Sequence, residues 1–195
     1  LTGTLQKQTA ASTSSPATTT APSQVNIQSL TPPDLSQLTV TLKNLDLCAE
    51  LDGHAVCINK KQWEKLSATK REAYKNKWLY VTGKDESGSK HSFLLALDDS
   101  DEEMTITWNE AMSRCGNSLP TKEQGEVMAK NIKAITKAII DFGGDKDPQW
   151  WYWTRTEYDS SSAWLVGMFY GIVNYYGKAC AARVRPVAPV PSSAM

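Results

Sequence analysis

Apolar and polar positions change rhythm three times along this chain. Before residue 37 there is none: TAASTSSPATTTAPSQ and its flanks mix Thr, Ser, Ala, Gln and Pro without apolar periodicity. Such a stretch cannot bury enough surface to offset the entropy of ordering it. Residues 1–36 therefore read as a flexible tether, or as a segment that orders only against a partner or a neighbouring subunit. Two-residue alternation begins at residue 37. LTVTLKNLDL and HAVCINK read as strands, KKQWEKL and SATKREAYKN as short helices, and WLYVTG with HSFLLAL as a hairpin joined by the polar KDESGSK. DDSDEE reads as an acidic, solvated loop, because it lacks the glycine and terminal glutamate spacing of an EF-hand.

A helical period takes over after Thr107. Thr107-Trp108-Asn109-Glu110 forms a capping box, and Gly116 supplies a stop after AMSRC. Thr121-Lys122-Glu123-Gln124 forms a second box directly after Pro120. Ile132, Ile135, Ile139 and Ile140 then give a core stripe that ends at Gly143-Gly144. Strand patterns return in WWYWT, AWLVGMF, IVNYY and ACAARVRPV. Strands, then helices, then strands predict an α+β domain over 37–190, with antiparallel strands and two main helices.

Asp52-Gly53 is a strong hairpin signal. Folding the flanking strands about it pairs Leu51 with His54, Glu50 with Ala55, Ala49 with Val56 and Cys48 with Cys57. The cysteines then meet at a non-hydrogen-bonded pair, where side chains lie closest. Leu47, Ala49, Leu51, Val56 and Ile58 share the opposite face, ready for a core. A disulfide fits this register, and so do two reduced thiols.

Composition narrows the chemistry. At 195 residues the chain can make one good-sized domain and a tail, and its formal charge balances at +0. A broad attraction to nucleic acid or anionic membrane is not expected. No run of roughly 18 apolar residues is present to span a bilayer. The first residue is Leu, which reads as a trimmed start. The two histidines, His54 and His91, have no neighbouring ligand set, and the four cysteines lack metal-site spacing. No metal, cofactor or catalytic group is expected.

Ten aromatic residues fall between Trp150 and Tyr176, against seven in everything before. They alternate with Ser, Gly and Asn, the mixture of stiff amphipathic rings and adaptable polar groups used by antibody paratopes. In AWLVGMFYGIVNYYG, Trp164, Val166 and Met168 alternate with Leu165, Gly167 and Phe169, so the two sets occupy opposite faces of a strand. Trp164, Val166 and Met168 make the better core set. Leu165 and Phe169 would then face solvent and form an interaction patch with Tyr170, Tyr175 and Tyr176. The alternative has both faces covered, as in a sheet buried on two sides.

The ordered succession TWNEAM, LPTKEQ, YWTRTEY, Ala163-Trp164 and VRPV, spread over roughly residues 40–187, resembles the C-type-lectin-fold variable proteins diversified by retroelements. These occur in gut Bacteroidetes and their phages, and phage tropism determinants are related. The resemblance implies a non-enzymatic display fold without cofactor. Its partner would be a protein or glycan ligand on a cell or particle surface, and its location extracellular, on a cell surface or on a phage virion. Tyr152, Trp153, Thr156, Glu157, Ala163, Trp164, Val166, Val173 and Arg185 match the supporting framework. Leu165, Gly167, Phe169, Tyr170, Ile172, Asn174, Tyr175, Tyr176, Ala179, Cys180, Ala181 and Ala182 match the variable, ligand-binding positions, joined by Asp159, Ser160 and Ser162 in the first loop. Arg155 departs from the family's usual small residue, which would crowd the first loop or let it pair with an acidic ligand. Cys180 reads as a sampled residue, with pairing to Cys115 left open. A calcium-dependent lectin would need a Glu-Pro-Asn type sugar motif that is absent. An enzyme akin to formylglycine-generating proteins would need a reactive cysteine pair where only Cys180 stands.

Overall fold

The computed structural model describes residues 38–99, 105–144 and 150–191. The tether assigned to residues 1–36 and most of DDSDEE lie outside the described residues. The described chain is α+β and mostly antiparallel. Strands β1 (Val40–Leu51), β2 (His54–Ile58), β3 (Lys75–Asp85) and β4 (Lys90–Ala96) join the late strand β10 (Val187–Ala188) in one sheet, ordered β10-β4-β3-β1-β2. Helices α1 (Lys60–Glu64) and α2 (Ala68–Glu72) link β2 to β3, each opened by a side-chain cap from Asn59 or Ser67. The β1-β2 turn has Asp52 at φ 51° and Gly53 at φ 80°, the left-handed pair that a two-residue hairpin requires. Every pairing expected about it is present, Cys48↔Cys57 included. The two sulfurs are bonded, across Cα atoms 4.1 Å apart.

Between β4 and the strands of the second sheet the chain forms α3 (Trp108–Cys115), α4 (Lys122–Lys130) and α5 (Ile132–Asp141). Both capping boxes form, Thr107 with Glu110 and Thr121 with Gln124. The second helix is not one rod, however: it breaks at Asn131 (φ −111°, ψ 22°) into α4 and α5. There the Asn131 amide donates to Val127 O at 3.0 Å and to Val40 O at 2.9 Å, so a helix-competing side chain also ties the break to β1. Two main helices were expected from sequence; three of comparable length are present.

The second sheet runs β6 (Trp151–Glu157), β7 (Ser162–Gly167), β8 (Ile172–Gly177), in that order. A short β5 (Ile106–Thr107) pairs with β9 (Ala181–Ala182) beside it. ACAARVRPV is thus not a single strand: Ala181–Ala182 pair with β5, Arg183 forms a parallel bridge with Tyr152, and Val187 opens β10. One core joins the large sheet, α4, α5 and the face of the small sheet that carries Tyr152, Trp164, Val166 and Met168. Close approach of α4 to β7 depends on Gly125, where a Cβ would sit 2.5 Å from Val166 Cγ2. A second core joins α3, β5 and β9 to the other face, through Trp108, Leu119, Trp153, Ala163, Leu165 and Val184.

That second core corrects one expectation. Leu165 is 5% exposed, not solvent-facing. The period-two split of β7 holds, but α3, β5 and β9 cover much of the face that the split leaves over. β7 is therefore largely buried on both sides, and open surface is found on β8, the β7-β8 turn, the β6-β7 loop and the loop before β9.

Candidate functional site

The exposed surface is built from the β7-β8 hairpin outward. Gly171, at φ 66°, closes the turn by donating its N–H to Gly167 O at 2.8 Å. This pushes Phe169 and Tyr170 out at the tip, each 63% exposed. Tyr170 leans on Trp151 with ring centroids 5.9 Å apart, and on Phe169 at 4.9 Å. Trp151 lies directly on Gly167, where an added Cβ would come within 2.8 Å of the indole. Gly167 is thus a seat for a ring and is itself buried, contrary to its expected place on the binding surface.

Along β8 the two faces differ. Asn174 and Tyr176 stand opposite Leu165 and Ala163 and, with Trp151, Ala181 and Ala182, enclose a recess of about 290 Å³. Leu165 and Ala182 are buried in its floor. Both were expected on the open surface, and both border only this recess. Tyr175 turns to the other face and stacks on Tyr158 at 3.8 Å and 6°. Both rings meet Trp164 edge-on, and Lys122 Nζ sits 4.7 Å above the same indole. Burial first, then Tyr175 and Asp159, hold the Tyr158 phenol above its ordinary pKa.

The first loop is largely tied to itself. Asp159 Oδ1 accepts from the N–H groups of Ser161 and Ser162, each at 2.7 Å, and the first of these contacts leads in lowering its pKa. Lys178 Nζ crosses the loop to Glu157 at 2.6 Å and Ser160 O at 3.0 Å. Ser160 is exposed, while Ser162 is half-buried. Arg155 does not reach outward. Its guanidinium donates to Asn117 O and Oδ1 at 3.3 and 3.2 Å, bracing the turn before α4. Ala179 and Ala181 are exposed, and the half-buried Cys180 forms no disulfide with Cys115.

Beneath the surface lies a buried ionic knot. Arg185, 0% exposed, pairs with Asp99 and donates to Ala96 O and Leu97 O at 3.0 and 2.7 Å. The Tyr152 hydroxyl donates to Asp99 Oδ2 at 3.2 Å, and Arg183 adds a bond at 3.1 Å while stacking on Trp150 at 4.1 Å. Asp99, expected in a solvated acidic loop, is an interior counter-ion instead. No family model matches this chain, and no curated protein or solved structure does either. The site must therefore be judged on its own chemistry.

Phe169 and Tyr170 are exposed at the hairpin tip, Ile172 and Tyr176 along the recess face of β8, and Tyr175 on its opposite face. Among the described residues no group of three or more His, Cys, Asp or Glu is placed to hold a metal. No helix among them is long and apolar enough to cross a membrane. Sequence reasoning missed Trp151 as a wall of the recess, and it wrongly counted Ile140 in the core stripe. The latter is 47% exposed and faces Phe169 and Tyr170 across a groove. The doubled Ile139-Ile140 was the available signal, since adjacent helix positions cannot both centre on one core stripe.

Proposed function

We propose that this chain is a non-enzymatic ligand-binding protein, displaying a retroelement-diversified surface on a C-type-lectin-like fold. Its place would be outside a cell, on a cell surface or on a phage particle, with a protein or glycan as ligand. One observation carries the reading. Phe169, Tyr170, Ile172, Tyr175 and Tyr176 stand exposed along the β7-β8 turn and β8, while the assigned supports Tyr152, Trp153, Ala163, Trp164, Val166, Val173 and Arg185 are buried, Thr156 is half-buried and Glu157 is exposed. Clustered exposed aromatics mark interaction sites, and rigid backing spares a ligand the entropy of ordering them. The Cys48–Cys57 bond suits an oxidising compartment.

Sequencing the flanking DNA tests the diversification. A near-copy of the segment encoding Trp150 to Arg185, beside a reverse-transcriptase gene and differing at adenines, is the expected result. A flank without a reverse transcriptase or a second copy would sink the proposal.

A further inference from the structure

The direction of hydrogen bonds in the small sheet decides what the outer edge of β8 offers. Trp153 N–H donates to Arg183 O at 3.0 Å, and Arg183 N–H donates to Trp151 O at 2.9 Å. Trp151 and Trp153 thus turn backbone groups away from β7, so Tyr152, between them, bonds across to its partner Val166. Met168 N–H, two residues on, likewise runs to Trp150 O. Alternation then aims the polar groups of Ala163, Leu165 and Gly167 at β8, where Tyr176, Asn174 and Ile172 answer them. Val173 and Tyr175 are left with N–H and C=O turned away from β7, because β8 ends the sheet; Val173 is 6% exposed, so the accessible part of that edge begins at Asn174.

A second observation agrees. Tyr175 N–H is taken by the side chain next to it, Asn174 Oδ1, at 2.9 Å, which it could not be if it served β7. Asn174 therefore occupies a strand-pairing donor with a group that can swing away. Exposed edges are commonly blunted by such local devices, and a partner strand displaces them.

We propose that β8 takes its ligand by strand addition: an extended peptide lies along Asn174–Gly177 as a fourth strand and sets one uncharged, ring-bearing side chain into the recess between Trp151 and Tyr176. This rests on the ligand-binding reading above and names the class of ligand. The N–H and C=O of Tyr175 pair with one partner residue, whose side chain joins the Tyr158–Tyr175 stack. Its neighbours in the peptide turn to the opposite face, where the recess opens. Charge selects the occupant, since Trp151, Leu165, Asn174, Tyr176, Ala181 and Ala182 carry none. A charged side chain would lose its hydration there without a counter-ion. A glycan could stack on the same rings but has no periodic donors and acceptors to match the edge.

Panning a library of random linear heptapeptides on the full chain tests this. Enriched peptides should alternate, with an uncharged aromatic residue at every second position of the binding stretch. Tyr175→Ala and Tyr175→Pro both delete the ring, but only proline deletes the edge N–H, a change that edge strands tolerate. The proline variant, checked for an unchanged circular dichroism spectrum, should bind the best peptide about tenfold more weakly than the alanine variant. N-methylating the peptide amide opposite Tyr175 should cause a similar loss on the unmodified protein. Equal binding by the two variants, with methylation tolerated, would overturn strand addition. If Tyr176→Ala still abolished binding in that case, the aromatic surface would stand and only the edge would be wrong. Failure of any linear peptide to enrich would overturn the peptide as ligand class.

Discussion

Asp99→Asn should be among the most damaging single-atom changes available in this domain. The Arg185 side chain is 0% exposed and the Asp99 side chain 1%, so neither charge can be rehydrated in place. Neutralising Asp99 takes the carboxylate out of this pair, while the carbonyls of Ala96 and Leu97 and the Tyr152 hydroxyl stay beside the guanidinium. Breaking a buried pair from one side costs roughly 3–5 kcal/mol. Arg183, 15% exposed, loses its partner too but can turn to water, so it should add little. Against a typical total of about 5–15 kcal/mol, the change would consume much of the stability. With a urea slope of about 2 kcal/mol/M, the unfolding midpoint should fall by roughly 1.5–2.5 M. Adding Arg185→Met should not restore it, because the carbonyls of Ala96 and Leu97 would then lose their donors, at about 1–3 kcal/mol each. Urea titration followed by tryptophan fluorescence reads both effects. A midpoint shift below about 0.5 M for Asp99→Asn would refute the claim that this ion pair is dry.

Four further outcomes follow from the structure. Reducing Cys48–Cys57, which closes a separation of 9 residues, should cost at most about 3 kcal/mol by loop entropy; identical melting with and without reductant would contradict that. Phe169→Ala with Tyr176→Ala removes two side chains that are 63% and 58% exposed, so stability should change by no more than about 0.5 kcal/mol while ligand binding is lost. Tyr175→Ala should be costlier by about 0.5–1.5 kcal/mol, because it dismantles the stack on Tyr158, and equal melting of the two variants would argue against the stack. His91 first, then Ser87 and backbone N–H groups, hold Asp85 down to about 2. Its folded pKa lies below its unfolded one, so its contribution is present above about pH 4 and fades as pH falls toward 2. An NMR titration midpoint near 4 would dissolve that contact.

Much of the fold was legible because its signals are local. A two-residue Asp-Gly turn sets the register of every pair behind it, and each capping box needs only four residues. The break at Asn131 was hidden because its cause is distant: Val40 O draws on a side chain that the local pattern reads as one helical position among many. Asp99 was misread for the same reason, since its counter-ions lie more than 80 positions away at Arg183 and Arg185. For the candidate site, alternation separated the faces of β7 correctly. It could not tell that α3, β5 and β9 return to cover one of them, because β5 and β9 are too short to leave a pattern.

Burial on both faces of β7 restricts where a diversified surface could vary. A side chain can be exchanged freely only where it leaves no packing partner behind, so Phe169, Tyr170, Asn174, Tyr176, Ala179 and Ala181 are open to change at little cost. Leu165 and Ala182 are not, because each is part of the second core, and a larger residue at Gly167 must displace Trp151. Enlarging any of these three would fill or reshape the recess rather than decorate a rim. Diversity would then act on two levels: the rim sets which groups can approach, and the floor sets whether a ring can enter. The buried knot of Asp99, Arg183 and Arg185 fits this arrangement, since it anchors the segment after β9 without drawing on any variable side chain. A scaffold whose stability lies outside its exchangeable positions can sample many surfaces without unfolding.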